Sequence, residues 1–403
     1  MRNGLIGACL ALLAVVGAVP GAEARDRVAA VDARLGGDST RTRLIVDLTD
    51  RVAPRHFVLD DPYRVVIDLP QVAFRFPDKR GEEGRGLVSA FRYGLIAAGR
   101  SRIVLDATGP VAVDALFVIE PANGQPARLV LDLVPTTREA FLEAKSLRGS
   151  IAPEQTARRV APSAAGDDRR VVVLDPGHGG VDPGAIGRDN ATEKSIVLAM
   201  AETLRDKLTA TGRYRILMTR DDDSFVSLGD RVRMARDAQA GLFVSIHADT
   251  LSAAQGVRGA TVYTLSDRAS DAEAAKLAEK ENRADAIAGV ELPEELDDVA
   301  GILIDLMQRE TRSFSARFAS TLAGSLKGTV QLNKNPLRAA GFRVLRAPDV
   351  PSALVELGYL SSAQDVKLLM SQEWRDDAAD AMVKAIDAFF GVQVAEGVTG
   401  SVN

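Results

Sequence analysis

Two of the chain's three histidines lie in short strings whose residue types suit metal binding. His178 lies in Asp-Pro-Gly-His-Gly-Gly at 175–180, and His247 lies in Ser-Ile-His-Ala-Asp at 245–249. Each string follows an apolar run typical of a buried strand, so we expect each imidazole at the edge of a sheet. Imidazole is the commonest protein ligand for zinc, and the two strings therefore form a candidate metal site.

A third candidate ligand lies between the two histidines. Glu193, in Thr-Glu-Lys at 192–194, opens a stretch with helical spacing of its apolar residues. Two histidines and one carboxylate, with a fourth position open, are the composition of a catalytic zinc site. On the residues alone the alternative stays open, because strand-end histidines are often only hydrogen-bonded. The glycines around His178 also suit a tight turn without chemistry.

Strands and helices alternate through the second half of the chain, and they must position these side chains. Strands are predicted at 171–175, 214–218, 242–246, 257–265, 342–345 and 353–357, and helices at 193–210, 228–238, 374–390 and, at least twice, within 271–327. This order predicts an α/β domain whose mainly parallel sheet is covered by helices on both faces. Ligands on such sheets bind beyond the carboxyl ends of strands, where His178, His247 and Glu356 fall.

The first half of the chain has a different pattern. Within 28–134, short apolar runs carrying an aspartate recur between turns that contain proline and glycine, at 44–48, 64–69, 102–106 and 128–133. Such runs, without helical periodicity, predict a small all-β domain, an antiparallel sandwich. His56 lies in this half, and we interpret it as structural. Residues 135–169 lose all periodicity and are predicted to be a flexible linker.

Composition and termini narrow the class of protein. The 403 residues are 46% hydrophobic and 26% charged, which fits a globular protein of two or three domains. A net charge of −5 argues against nucleic-acid binding.

The N-terminus has the features of a signal peptide over 1–24. These features are Arg2, an apolar run at 5–19 and Ala-Glu-Ala at 22–24, and no membrane span is expected after cleavage. The single cysteine, Cys9, lies in that run, so no disulfide is expected. Residues 392–403 are interpreted as a tail.

The motifs of the second half resemble those of a known family. Residues 170–391 resemble the zinc-dependent N-acetylmuramoyl-L-alanine amidases of the amidase-3 family. The resemblance is carried, in the family's order, by the strings at 175–180 and 245–249, by Glu193, and by Val-Glu-Leu-Gly-Tyr-Leu-Ser at 355–361. Residues 28–134 resemble the AMIN domains found ahead of such amidases, which bind cell-envelope material and localise the enzyme.

This resemblance implies a peptidoglycan hydrolase that cleaves the amide bond between N-acetylmuramic acid and L-alanine during daughter-cell separation. It implies one zinc ion per chain, bound by His178, Glu193 and His247, and a proton shuttle at Glu356. It also implies a periplasmic protein at the division site. Side chains expected to support the ligands or orient the substrate are Asp175, Asp249, Arg220 and Arg231.

Two other metal chemistries are less favoured by the residues. No His-Glu-x-x-His helix is present in the sequence, which argues against a metalloprotease of that type. Three consecutive aspartates at 221–223 are interpreted as a solvated turn rather than as a calcium site.

The alternative to an enzyme is a protein of another functional class, a non-catalytic peptidoglycan-binding envelope protein. The intact set of His178, Glu193, His247 and Glu356 favours the enzyme.

Residues 267–312 form an insertion with a chemical feature of its own. A helix turns by ~100° per residue, so on a helix through 272–290 Glu281 and four small or apolar residues lie within the same ~80° of arc. The four residues are Ala274, Leu277, Ala284 and Ala288. A carboxylate that packs inward needs a cation or a hydrogen-bond partner. Relatives that work with the division machinery carry an inhibitory helix here, whose glutamate occupies the open zinc position. Glu281 is the predicted match and Glu279 the second choice. A LytM-type activator is then expected to displace the helix.

Overall fold

The structure, a computed structural model, describes residues 28–122, 124–146, 167–187, 191–250, 258–290 and 301–399, with 301–307 and 392–399 described by their backbone alone. The predicted signal peptide and Cys9 lie outside these residues, as does most of the predicted linker. None of the helices in the described ranges is long and apolar enough to cross a membrane.

The N-terminal domain is a β-sandwich, as the alternating runs predict. Its strands are β1 (Ala29–Gly37), β2 (Thr42–Leu48), β3 (Arg55–Leu59), β4 (Arg64–Pro70), β5 (Ala73–Phe74), β6 (Val88–Ala97), β7 (Arg100–Ala107), β8 (Val111–Ile119) and β9 (Ala127–Pro135). One sheet has the order β5-β1-β2-β9-β8 and the other β3-β4-β7-β6. All pairings are antiparallel except that of β1 with β5. Both sheets contribute to one core, which includes Val46, Leu131, Val65 and Leu105.

A helix follows the sandwich where the sequence predicted a linker. Helix α1 (Arg138–Ser146) buries Phe141, whose ring contacts that of Tyr63 edge-on at 4.9 Å between centroids. Lys145 forms an ion pair with Asp60 at 2.7 Å. The prediction of a linker over 135–169 is therefore wrong at its start. A helix this short is stabilised by tertiary packing rather than by its own periodicity, so the pattern of its residues did not reveal it.

The C-terminal domain is a three-layer α/β fold, as predicted. Its elements in chain order are β10 (Arg170–Pro176), α2 (Glu193–Ala210), β11 (Tyr214–Met218), α3 (Leu228–Asp237), β12 (Leu242–His247), β13 (Ala260–Leu265), α4 (Ala272–Glu281), α5 (Ala284–Ile287), α6 (Gly301–Leu326), β14 (Leu332–Ala340), β15 (Ser352–Glu356), α7 (Ala363–Leu369) and α8 (Gln372–Thr399). The sheet order is β11-β10-β12-β15-β13-β14, and only the β13–β15 pair is antiparallel.

Alternate residues of the central strands face two different helical layers. Val172 and Leu174 of β10 pack in the core that includes α2, α6 and α8. Val171 and Val173 of the same strand pack in the core that includes α3 and α4. This alternation is the strand period of two, and it explains why the strand sequences are almost continuously apolar.

One predicted strand and two predicted element boundaries of this domain are wrong. Residues 342–345 contain a 3-10 turn, Arg343–Leu345, and the neighbouring strand is β14. Its Asn335-Pro336 step resembles a turn in sequence, yet proline is tolerated on β14 because this strand lies at the sheet edge. Helix α8 continues to Thr399, so most of the predicted tail at 392–403 is helical. Strand β13 begins at Ala260, later than the predicted start at 257.

Candidate metal centre

The candidate metal centre is built at the carboxyl ends of three neighbouring parallel strands. Strand β12 lies between β10 and β15, and its last residue, His247, is in register with Glu356, the last residue of β15. The loop after β10 carries His178, whose backbone has φ of 58°. Few residues other than glycine adopt this left-handed conformation, and it turns the imidazole back over the strand ends. The sheet topology thus brings together residues far apart in sequence.

His178, Glu193 and His247 converge, as the sequence predicts. Glu193 is the first residue of α2 and is fully buried. One ligand atom from each of the three residues lies within 4.8 Å of the other two. His178 Nε2 lies 3.2 Å from Glu193 Oε2, and His247 Nδ1 lies 3.1 Å from Glu193 Oε1. These separations are those of ligands around a common centre.

The donor set fits a divalent cation. His178 Nε2 is buried and has no hydrogen-bond partner among the described residues, and the same holds for one oxygen each of Glu281 and Glu356. Several buried carboxylates without matching cations are unfavourable in a protein interior. The backbone also approaches closely here, since a Cβ on Gly177 would lie 2.3 Å from the His247 ring. A cation bound by the three ligands would relieve this excess of negative charge.

The pKa shifts at the centre reflect the same crowding. Burial opposes protonation of His178, but the surrounding carboxylates, led by Glu193, outweigh it and raise its pKa well above the ordinary imidazole value. Burial likewise disfavours ionised Glu193, yet contact with His178 lowers its pKa well below the usual value. The opposite directions of the two shifts reflect the attraction between the imidazole and the neighbouring carboxylate.

Asp182 contacts His178 at the candidate centre, and the sequence pattern did not indicate it. Its Oδ2 lies 2.8 Å from His178 Nδ1, which leaves Nε2 directed at the candidate centre. Its Oδ1 accepts a hydrogen bond from the Gly184 N–H at 3.1 Å. A carboxylate on the far nitrogen of a ligating histidine fixes the tautomer and ring orientation. The signal available in the sequence was an aspartate four residues after His178 in the same glycine-rich loop.

Asp175, Arg220 and Arg231 lie beneath the His178 loop, buried rather than facing solvent. Arg220 donates to the carbonyls of Pro176 and Gly177 at 3.0 and 2.8 Å. Arg231 donates to Asp175 Oδ1 at 2.6 Å and to the His178 carbonyl at 2.8 Å. Of the two roles expected for these three residues, this geometry favours support of the loop over contact with a substrate.

Glu356 is fully buried beside the centre. Its Oε2 accepts a hydrogen bond from the Asp249 N–H at 2.9 Å. Burial, reinforced by the negative charges of Glu193 and Asp249, raises its pKa well above the usual glutamate value. A carboxyl group with a raised pKa is suited to acid–base chemistry.

Helix α4 places Glu281 at the candidate centre. Its Oε2 lies 3.4 Å from His178 Nε2 and 3.2 Å from His247 Nδ1, and the residue is 5% exposed. The four other residues of the predicted stripe are also buried. Glu279, the second choice, is exposed on the opposite side and pairs with Arg283. Lys280 reaches the same region as Glu281 and forms an ion pair with the buried Asp249.

Two remaining predictions concern residues away from the centre. His56 is exposed on β3 of the N-terminal domain. The three aspartates at 221–223 are exposed, and Asp223 accepts hydrogen bonds from the Gly180 N–H and from Lys194 at 2.8 and 2.7 Å. This turn therefore connects to the His178 loop through hydrogen bonds.

Comparisons with known proteins agree with the two-domain architecture. Residues 172–388 match a profile described as N-acetylmuramoyl-L-alanine amidase, amidase-3, and residues 30–133 match the AMIN domain. The chain is 33% identical over 378 residues to N-acetylmuramoyl-L-alanine amidase AmiC of Neisseria meningitidis, covering 90% of each chain. It is 33% identical over 387 residues to AmiC of Escherichia coli O6:H1, covering 92% of this chain and 90% of that one. The solved CwlD amidase of Clostridioides difficile, in complex with the GerS lipoprotein, covers 56% of this chain and is itself covered in full, at 23% identity and a TM-score of 0.42.

The chain belongs to the amidase-3 family of N-acetylmuramoyl-L-alanine amidases, with an AMIN domain ahead of the family domain.

Proposed function

We propose that this protein is a zinc-dependent N-acetylmuramoyl-L-alanine amidase, which hydrolyses the amide bond between N-acetylmuramic acid and the L-alanine of the peptidoglycan stem peptide. The observation that carries the proposal is the convergence of His178, Glu193 and His247 at strand ends, within 4.8 Å. The AmiC relatives are named N-acetylmuramoyl-L-alanine amidases, which supports our choice of the bond that is cleaved. One zinc ion per chain suits two imidazoles and one carboxylate.

The residues around the zinc ligands have separable roles. A bound zinc ion would supply Lewis acidity, which lowers the pKa of a water molecule and polarises the scissile carbonyl. Asp182 holds the His178 ring so that Nε2 is the ligating nitrogen. Glu356 has one oxygen held by the Asp249 N–H and one without a partner in the described part of the chain. That second oxygen can exchange a proton with reacting groups, and the raised pKa of Glu356 suits donation to the departing nitrogen.

The proposed enzyme is latent in the conformation described here. Glu281 lies where a fourth ligand would lie, with its carboxylate within 3.4 Å of both imidazoles. A carboxylate in that position would exclude the water that hydrolysis requires. An activator that favours an open state by a few kcal/mol would change activity many-fold. By resemblance, this activator is a LytM-type protein.

The wider biological role follows from the domains and the relatives. We propose that the chain is secreted across the inner membrane by a cleaved signal peptide and acts in the periplasm. The AMIN domain would bind envelope material and place the enzyme at the division site, where amide cleavage separates daughter cells. The AMIN profile match and the AmiC relatives support this role.

Metal analysis tests the zinc site directly. The purified protein should contain about one zinc per chain, whereas His247→Ala should lose most of it while keeping its circular dichroism spectrum, because the loss of one of the two imidazole ligands weakens the binding of the ion. His56→Ala is the matched control, since His56 is exposed in the other domain. Full zinc occupancy in both His178→Ala and His247→Ala would refute the assignment.

Substitutions at two glutamates of α4 test whether the enzyme is latent. Glu281→Lys should raise hydrolysis of purified sacculi without an activator, because a lysine cannot bind the zinc and introduces repulsion there. Glu279→Lys changes charge by the same amount on the exposed side of α4 and should leave the basal rate unchanged. If the parent is fully active alone and Glu281→Lys matches it, the protein is not latent.

A further inference from the structure

The AMIN domain contacts both the His178 loop and the end of the helical insertion. The Phe225 N–H donates to the Leu95 carbonyl at 3.1 Å. The backbones of Gly94 and Gly180 are so close that a Cβ on Gly94 would lie 2.2 Å from the Gly180 carbonyl carbon. A small apolar cluster spans the contact and joins Leu59, Val66 and Val104 of the four-stranded sheet to Val181, Phe225 and Ala288. The two domains therefore share a packed interface around residues 286–290.

Two arginines of the four-stranded sheet reach the insertion. Arg102 is 3% exposed and donates to the carbonyls of Ala288 and Gly289 at 3.1 and 2.8 Å. It also forms a bidentate pair with Asp68. Arg64, 4% exposed, donates to the carbonyl of Ala286. These hydrogen bonds compensate for the desolvation of the two buried guanidinium groups and so stabilise the docked arrangement.

The carbonyls that these arginines bind lie at the end of α5. The Ala286 carbonyl also accepts a hydrogen bond from the Gly289 N–H at 3.0 Å, and a carbonyl oxygen can accept a second one from Arg64. Gly289 has φ of 67°, and a Cβ there would lie 3.0 Å from Val66 Cγ2. The chain thus turns directly against the sheet of the AMIN domain, in a conformation that favours glycine.

The other side of this segment contacts the amidase domain. Asn282 donates to the Gly341 carbonyl at 2.9 Å, and Asp285 Oδ1 accepts from the Leu228 N–H at 2.9 Å. Residues 272–290, which we name the inhibitory segment, therefore lie between the amidase domain and the AMIN domain. Contacts on both sides of the inhibitory segment therefore oppose the departure of Glu281 from the candidate metal centre.

We propose that the four-stranded sheet of the AMIN domain is a docking surface for the inhibitory segment, and that Arg64 and Arg102 clamp this segment so that Glu281 stays at the metal centre. The inference rests on the proposed latency. Separation of the two domains and release of Glu281 become coupled equilibria. Any interaction that draws the AMIN domain away from the amidase domain would then favour the active state.

The test compares three substitutions in the full-length protein. Arg102→Gln and Arg64→Gln each weaken a contact with the inhibitory segment. Arg92→Gln removes a bidentate pair with Asp106 on the same sheet, where Arg92 contacts the carboxylate at 2.7 Å through both terminal nitrogens. Amide hydrogen exchange of residues 272–290 is measured by mass spectrometry with and without zinc. We expect faster exchange in the first two variants and parent-like exchange in Arg92→Gln.

Activity provides the second readout. Basal hydrolysis of sacculi should rise roughly tenfold in Arg102→Gln, the change that a loss of ~1.4 kcal/mol in docking would produce. Gly289→Val tests the same contact from the opposite side, since its side chain would collide with Val66 while all zinc ligands stay intact. It should also accelerate exchange in the inhibitory segment. Thermal melting of each variant establishes that both domains remain folded.

The outcomes separate this proposal from the proposed latency. Parent-like exchange and activity in Arg102→Gln, Arg64→Gln and Gly289→Val, with Glu281→Lys activated, would overturn the clamp and leave latency standing. Faster exchange without any gain in activity, in those variants and in Glu281→Lys alike, would overturn latency and with it the regulatory role of the clamp. Equal acceleration in Arg92→Gln would show general loosening of the AMIN domain and would also overturn the clamp.

Discussion

At the scale of single residues, the candidate metal centre depends on side chains that orient other side chains. Asp182 orients His178, and Arg220 and Arg231 hold the carbonyls of the loop on which His178 lies. The pattern of the sequence indicated the three candidate ligands, because each lies at the end of an apolar strand or at the start of a helix, but the residues alone left a structural role open and only the family resemblance favoured zinc binding. Asp182 was not predictable in the same way, since its contact depends on the left-handed backbone of His178.

Substitution of Glu356 tests its proposed role in proton transfer. Glu356→Gln should retain zinc but lose ~10²–10⁴-fold in hydrolysis, because the amide cannot take part in proton transfer while it keeps the shape of the side chain. Metal content and the rate of sacculus hydrolysis, both measured in a Glu281→Lys background, would check this. A double variant that hydrolyses sacculi as fast as Glu281→Lys alone would exclude Glu356 from the reaction.

At the scale of elements, α4 shows how a sequence pattern can specify an inward carboxylate. The stripe that includes Ala274 and Leu277 predicted the buried face correctly, and Glu281 lies on that face. The pattern could not determine what Glu281 would meet, because its neighbours come from strand ends distant in sequence. Strand β14 and helix α1 were missed for a related reason: an edge position and a tertiary contact stabilise them, rather than a periodic sequence.

Removal of zinc should make the docking of α4 dependent on pH. In the metal-free protein, burial raises the pKa of Glu281 to about 7, above the usual value of 4.5. A raised pKa in the docked state means that its contribution to docking is complete below pH 4.5 and is lost as pH rises through 7. Amide exchange in α4, corrected for its intrinsic pH dependence, should therefore increase over this range.

Glu281→Gln is the control for this prediction, since it keeps the shape of the side chain but cannot ionise. The pH dependence should be strongly reduced in that variant. It should also be weaker in the zinc-loaded parent, because the cation favours the ionised carboxylate. Exchange that is independent of pH in the metal-free parent would contradict the buried, carboxylate-rich environment assigned to Glu281.

At the scale of the whole molecule, the two domains pack against each other. Fold class could be predicted for both, since strand alternation and strand–helix alternation are local patterns. The contact between the domains was not predictable. Arg64 and Arg102 begin apolar runs that resemble the run beginning at Arg128, yet Arg64 and Arg102 are buried because a second domain covers them. Sequence periodicity carries no information about such a partner.

A latent zinc amidase that is freed from Glu281 should cut one defined bond in peptidoglycan. Purified sacculi are incubated with zinc-loaded Glu281→Lys, and the soluble products are identified by mass spectrometry. We expect stem peptides with a free L-alanine amino terminus, glycan strands with intact N-acetylmuramic acid, and no such products after chelation of zinc. Release of peptides cut at another bond, release of cleaved glycan, or undiminished release in the presence of chelator would show that the protein is not a zinc-dependent amidase of this specificity.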